Sequence, residues 1–174
     1  KNVLTRQELD RFNKAKNTYD EPVIIVTQEE AEAKEKKRAS KKSTWVYHAE
    51  NVRDFAFASS RKFIWDAMAV QVGEKTPLAM SYYPKEGNPL WERESTKAVK
   101  NTLVNYSEMT IDYPYPVAIS VHAASIGMEY PMICWNYGRP STDGTYSDRV
   151  KYGMISVIIH EVGHNYFPMI VSRG

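Results

Sequence analysis

His160 and His164 stand four residues apart with Glu161 between them, in the run His160-Glu161-Val162-Gly163-His164. On a helix this spacing puts both imidazoles on one face, about one turn apart. Two imidazoles so placed can ligate one tetrahedral Zn²⁺. Glu161 is rotated about 100° from His160, so it falls beside the metal position. A general base that takes a proton from a metal-activated water belongs there.

The residues before this run, Met154-Ile155-Ser156-Val157-Ile158-Ile159, are apolar on nearly every side, the mark of a buried helix. Three ionisable groups in such a helix are costly unless something satisfies them. A metal and a water would do so. The plainer alternative is two core histidines bonded to backbone carbonyls, with Glu161 paired to a base. A second acid, Glu129, lies about thirty residues earlier in Gly127-Met128-Glu129-Tyr130-Pro131. Taken alone it reads equally as an edge residue of an apolar strand. His48 and His122 lack a spaced partner and read as structural.

Composition narrows the classes further. With 174 residues and 43% hydrophobic content, the chain can bury a core. A net charge of +2 gives no concentrated basic face, so nucleic acid is not an expected partner. The basic run Lys36, Lys37, Arg38, Lys41, Lys42 follows acidic residues and reads as a solvated helix end and linker. The one cysteine, Cys134, excludes an internal disulfide and sits among apolar residues as a small buried hydrophobe. No stretch reaches the roughly 18 apolar residues of a membrane span. No signal peptide is visible at Lys1, and the sequence reads as an excerpt of a longer protein.

Elements must hold these residues in place. Thr5-Arg6-Gln7-Glu8 and Thr27-Gln28-Glu29-Glu30 are capping boxes that open two helices, the first running to about Lys16. Pro22 to Val26 reads as a strand. Alternation at Trp45, Tyr47, Ala49 and at Phe55, Phe57 predicts strands, as do Phe63-Ile64-Trp65 and Leu78 to Tyr83. Asn88-Pro89 opens a helix to about Met109, with Asn88 as N-cap. Val117 to Val121 and Met128 to Trp135 follow as two strands. Ser147-Asp148 starts the last helix, which Pro168 ends at about Phe167. Strands, helix, strands and helix in this order make an α+β fold with a mixed sheet.

The pair of motifs, Gly127-Met128-Glu129 followed by His160-Glu161-x-x-His164, resembles the aminopeptidase N family of gluzincin zinc aminopeptidases, which includes leukotriene A4 hydrolase. The resemblance runs from about Val52 to Phe167 and covers the first half of that family's thermolysin-like catalytic domain. It is closest to a branch with Glu-Asn-Val-Arg-Asp-Phe-Ala at the start of the domain, here Glu50 to Ala56. It implies that residues 1–52 end a preceding β-rich domain with an inserted helical segment, and that 53–174 begin the catalytic domain. It implies one Zn²⁺ held by His160 and His164, Glu161 as general base, Glu129 on the substrate α-amino group, and Gly127 and Met128 along the substrate strand. The implied partners are peptides with a free N-terminus and the rest of the same catalytic domain.

Ile126 and Tyr130 stand where the family motif has Gly and Asn, and Tyr166-Phe167-Pro168 where it often has Trp-Phe-Gly. The family's third ligand, a Glu nineteen positions past the second His, falls at position 183. The sequence as given is thus expected to hold zinc weakly and not to turn over peptides, whereas the intact protein does. Two alternatives stay open: a thermolysin-like endopeptidase, and a non-catalytic peptide-binding or scaffold module. Members of the branch are often exported, which suggests a periplasmic or envelope location.

Overall fold

The structure, a computed structural model, describes residues 3–171. Both capping boxes form. Thr5 caps α1 (Arg6–Ala15) and Thr27 caps α2 (Gln28–Glu35); in each, the Thr hydroxyl accepts from the N3 amide and the N3 Glu accepts from the Thr amide. Between them lies β1 (Val23–Val26). The sheet continues with β2 (Ile64–Ala69), β3 (Leu78–Tyr83), β4 (Val117–His122), β5 (Met128–Tyr130) and β6 (Ile133–Asn136). Two long helices complete the fold, α3 (Leu90–Met109) and α4 (Asp148–Gly163).

The six strands form one mixed sheet in the order β1-β2-β3-β4-β6-β5. The β1–β2, β2–β3 and β5–β6 pairs are antiparallel. The β3–β4 and β4–β6 pairs are parallel, and α3 makes the crossover between β3 and β4 that a parallel pair requires. The fold is α+β, as expected. No described helix is long and apolar enough to cross a membrane.

A line of small polar side chains crosses the sheet under α3. Asp66, Ser81, Ser120 and Cys134 lie opposite one another on four successive strands. Ser95 and Thr96 of α3 come down onto them. The Thr96 hydroxyl bonds the Asp66 carboxylate and also lies 2.6 Å from Ser81 Oγ. Ser81 reaches Ser95 at 2.7 Å, Ser95 reaches Ser120 at 3.2 Å, and Asn136 donates to Ser120 at 2.8 Å. Hydroxyls this short let α3 approach closely while each of them finds a partner; the buried Asn136 Oδ1 has none. Cys134 is buried as expected, and burial pushes its thiol up to about 12.

Four expectations differ from the structure. Residues 38–63 form no strand. The alternation at 45–57 wins no burial, because Trp45, Val46 and Tyr47 are all exposed and no sheet edge pairs with them; Tyr47 instead packs on Phe55 and Phe57. The expected strand 128–135 is a hairpin, since Pro131 and Met132 form a turn between β5 and β6. Asn88 is not the cap of α3: its amide donates to Gln28 and Glu92 instead. The last helix is buried on one face only, through Met154, Ile158, Glu161 and Val162, and Ile159 is 38% exposed. It closes at Gly163 and gives way to a wide π-type turn, Asn165–Ile170.

Asp66 is 1% exposed and accepts from Tyr83 Oη at 2.6 Å as well as from Thr96. Burial pushes its carboxyl up to about 7, against the pull of these two donors; the Glu92 charge adds to the rise. The folded state then holds this proton more tightly than the unfolded chain. The stability so gained is full below about pH 4 and is lost as pH rises through about 7. Asp66→Asn should remove this component. Chemical denaturation of both proteins from pH 4 to 8 should show the wild type losing on the order of a few kcal/mol relative to the variant; parallel curves would contradict it.

Candidate metal centre

Ser147 caps α4 by accepting from the Val150 amide, and the helix then runs unbroken to its last turn. His160 and His164 lie on that turn, with their Nε2 atoms 3.1 Å apart. Two nitrogens bound to one tetrahedral zinc at about 2.05 Å would be about 3.3 Å apart. The imidazole planes stand at 85° to one another, with ring centroids 4.6 Å apart. One ligand atom each from His160, Glu161 and His164 lie within 4.8 Å of one another.

The tautomer of His164 follows from its surroundings. Its Nδ1 lies 3.0 Å from the Phe167 carbonyl oxygen. A carbonyl can only accept, so Nδ1 carries the hydrogen and Nε2 keeps its lone pair. Metal-ligating histidines almost always show such an outer hydrogen bond. The carbonyl is available because the chain leaves the α-helix after Gly163 and Phe167 is extended, with φ −136° and ψ 110°.

Glu161 is buried, and its Oε2 has no hydrogen-bond partner among the protein groups. A buried carboxylate oxygen without a partner is costly, and this one belongs to the cluster that would face a metal and its water. Burial raises the Glu161 carboxyl; the Glu129 carboxyl, close enough to share a proton, raises it further, while His160 and His164 lower it. The structure therefore places Glu129, half-buried on β5, beside Glu161.

Gly127 is close as well. A Cβ built there would meet Glu161 Oε1 at 2.3 Å and Cδ at 3.2 Å. The Glu161 carboxylate occupies the space that any other residue at 127 would fill. Met128 follows on β5 and is exposed. Gly163, one residue before His164, is restricted by packing too: its Cβ would meet Tyr106 Oη at 2.8 Å.

The other histidines are elsewhere. His48 is exposed, with Nε2 2.9 Å from Glu50 Oε1. It lines an open cleft of about 580 Å³ with Glu50, Arg53, Tyr115, Met132 and Met169, and neither His160, Glu161 nor His164 contributes to that cleft. His122 packs on Trp91 at the end of β4, and burial with the Arg139 charge pushes it down to about 4, so it is neutral.

Two contributors were missed in the sequence. The Phe167 carbonyl is a backbone group, invisible to any motif. Asn165 is buried, and its Oδ1 accepts from the Met132 amide at 2.7 Å; the available signal was a polar residue directly after the second His in an otherwise apolar helix end.

The donor set fits Zn²⁺. Titrating the full-length protein with zinc should show one equivalent bound, and His164→Ala should weaken it by about a hundredfold or more. Equal zinc affinity in the variant would contradict the assignment.

No family model matches the chain, and no curated protein matches it. Among solved structures it is similar to an M1 zinc metallopeptidase from Deinococcus radiodurans, at 17% identity and a TM-score of 0.42. A point mutant of that enzyme gives 15% identity and a TM-score of 0.45. A mutant two-domain M1 zinc metallopeptidase bound to L-tryptophan gives 16% and 0.40. Each alignment covers 63% of this chain, which spans 23% of the length of its counterpart.

Proposed function

We propose that this chain is the part of a zinc-dependent aminopeptidase that carries two of its metal ligands and its general base. The observation that carries the reading is the pair of Nε2 atoms 3.1 Å apart with an unpartnered, buried Glu161 oxygen beside them. His160 and His164 would hold the metal. Zinc in that position supplies Lewis acidity, and brings the pKa of a water to near neutral. The resemblance to the aminopeptidase N family points the same way, as does the M1 description of the similar solved structures. The division near residue 52 is part of this proposal, although β1 pairs across it with β2.

The chain's own residues then have separate tasks. Glu161 accepts a proton from the attacking water and returns it to the leaving amine. Burial and the neighbouring Glu129 raise the Glu161 carboxyl, which makes it a stronger base towards that proton. Glu129 sits where a carboxylate can pair with the α-ammonium group of a peptide, a charge-assisted hydrogen bond. That contact selects free N-termini. Gly127 lets the backbone lie close against Glu161, and the exposed Met128 follows it where a substrate backbone would run.

Activity of the full-length, zinc-loaded protein on free and N-acetylated peptides tests the reading. Glu161→Gln should lower kcat by about 10²- to 10⁴-fold with zinc still bound. Glu129→Ala should raise KM for free peptides and erase the preference over acetylated ones. Equal cleavage of both peptides by the wild type would indicate an endopeptidase, and zinc binding without cleavage a binding module. Gly127→Ala, which forces the Glu161 carboxylate aside, should lower kcat by about tenfold or more while the unfolding free energy stays within about 1 kcal/mol of the wild type. An unchanged kcat in that variant would mean that the Glu161 position is not critical.

A further inference from the structure

The hairpin that carries Glu129 ends in a two-residue turn, Pro131-Met132, with Glu129 opposite Cys134 and Tyr130 opposite Ile133. Met132 has a φ of +68°. This left-handed conformation is disfavoured for a side chain of its size, by about 1–2 kcal/mol, and persists only where the surroundings fix it. Both backbone groups of Met132 are fixed. Its carbonyl accepts from the Ile119 amide at 2.9 Å, tying the turn to β4. Its amide donates to Asn165 Oδ1 at 2.7 Å, tying it to the chain directly after His164.

Asn165 is itself held by its neighbours. His164 bonds Phe167 O through Nδ1. Tyr166 is buried, and its Oη donates to the Leu103 carbonyl at 3.1 Å and lies 2.8 Å from Ser107 Oγ, both on α3. Tyr166 also packs on Tyr106 and Tyr113. Three consecutive residues thus do three things: His164 faces the metal position, Asn165 reaches the hairpin, and Tyr166 anchors to α3. β5 is an outer strand, hydrogen-bonded only to β6 within the sheet. The Asn165 bond joins its turn directly to the segment that bears a metal ligand.

We infer that Asn165 is a positioning residue that fixes the Glu129 hairpin relative to the metal helix, and so sets recognition of the substrate's free N-terminus. This rests on the aminopeptidase reading above. Asn165 touches neither substrate nor metal in this role. It acts through Met132 on the register of β5, and thus on the distance between the Glu129 carboxylate and the reacting carbonyl. A misplacement of about 1 Å at a binding group is enough to cost a large factor in rate or affinity.

The test uses the full-length, zinc-loaded protein and three variants: Asn165→Ala, the isosteric Asn165→Leu, and Asn165→Asp, which keeps the acceptor. In the wild type the Met132 amide should exchange slowly with solvent deuterium. In the Ala and Leu variants that protection should be lost, zinc stoichiometry should be unchanged, and KM for free peptides should rise about tenfold with kcat within about threefold. Asn165→Asp should restore both exchange protection and KM. A merely structural role would lower stability in all three variants without this split. If the Ala and Leu variants do not fold, wild-type exchange and the Asp variant still decide. Fast exchange of Met132 in the wild type overturns the inference. So does an unchanged KM in a folded Ala or Leu variant, when the wild type prefers free N-termini. If the wild type shows no such preference while Met132 exchanges slowly, the aminopeptidase reading is what fails, and this role falls with it.

Discussion

The Asp66 carboxyl, stripped of water in the middle of the sheet, is the group this fold can least leave unsatisfied. Its partners come from two directions, Tyr83 along the sheet and Thr96 from above it. Meeting that demand draws α3 down until Ser95 and Thr96 touch Ser81 and Ser120. Once α3 is set, so is the surface it offers to the last helix. Leu103, Tyr106 and Ser107 receive Tyr166, and Tyr106 fills the space over Gly163. The direction in which the two imidazoles point is therefore set partly by a hydrogen-bond network on the other side of α3.

What could be read in the sequence was mostly local. A capping box needs four residues, and both appear where Thr5 and Thr27 announce them. The one-turn spacing of His160 and His164 is equally local, and their nitrogens converge. The length of α3 follows from its apolar positions and ends at Met109 as the pattern predicts. The strands read at Phe63-Ile64-Trp65 and Leu78 to Tyr83 form, the first running on to Ala69, because flanking strands and helices bury those runs.

The remainder depended on contacts between distant segments. Alternation around Tyr47 resembles a strand, yet a strand needs an edge to join, and none reaches residues 45–57. Glu129 read as an ordinary edge acid on its own residues, and only the family resemblance attached it to the histidines. Its meeting with Glu161 depends on a turn at Pro131-Met132 and on Asn165, more than thirty residues away. Gly127 carried no sign that a carboxylate stands where its side chain would be. Burial of the last helix was overestimated because hydrophobicity shows that a face is apolar, not that anything covers it. Ile159 is exposed all the same.

The irregular stretch 38–63 begins and ends in the same place. Arg61 donates to the Lys37 carbonyl at 2.8 Å, and Lys62 lies 3.0 Å from Glu35. A segment whose ends already meet adds little to holding together what it connects. It also carries Arg38, Lys41, Lys42 and Arg53 on its surface, the residues a trypsin-like protease cuts after. Scission there would divide the covalent chain but not the fold. The leading piece, from α1 through α2, would stay attached through the β1–β2 ladder, the packing of Phe12 on Trp65 and the bond from the Ala69 amide to the Thr18 carbonyl. For the same reason the loop is a place where the chain could be lengthened, or its ends relocated, without disturbing the histidine helix.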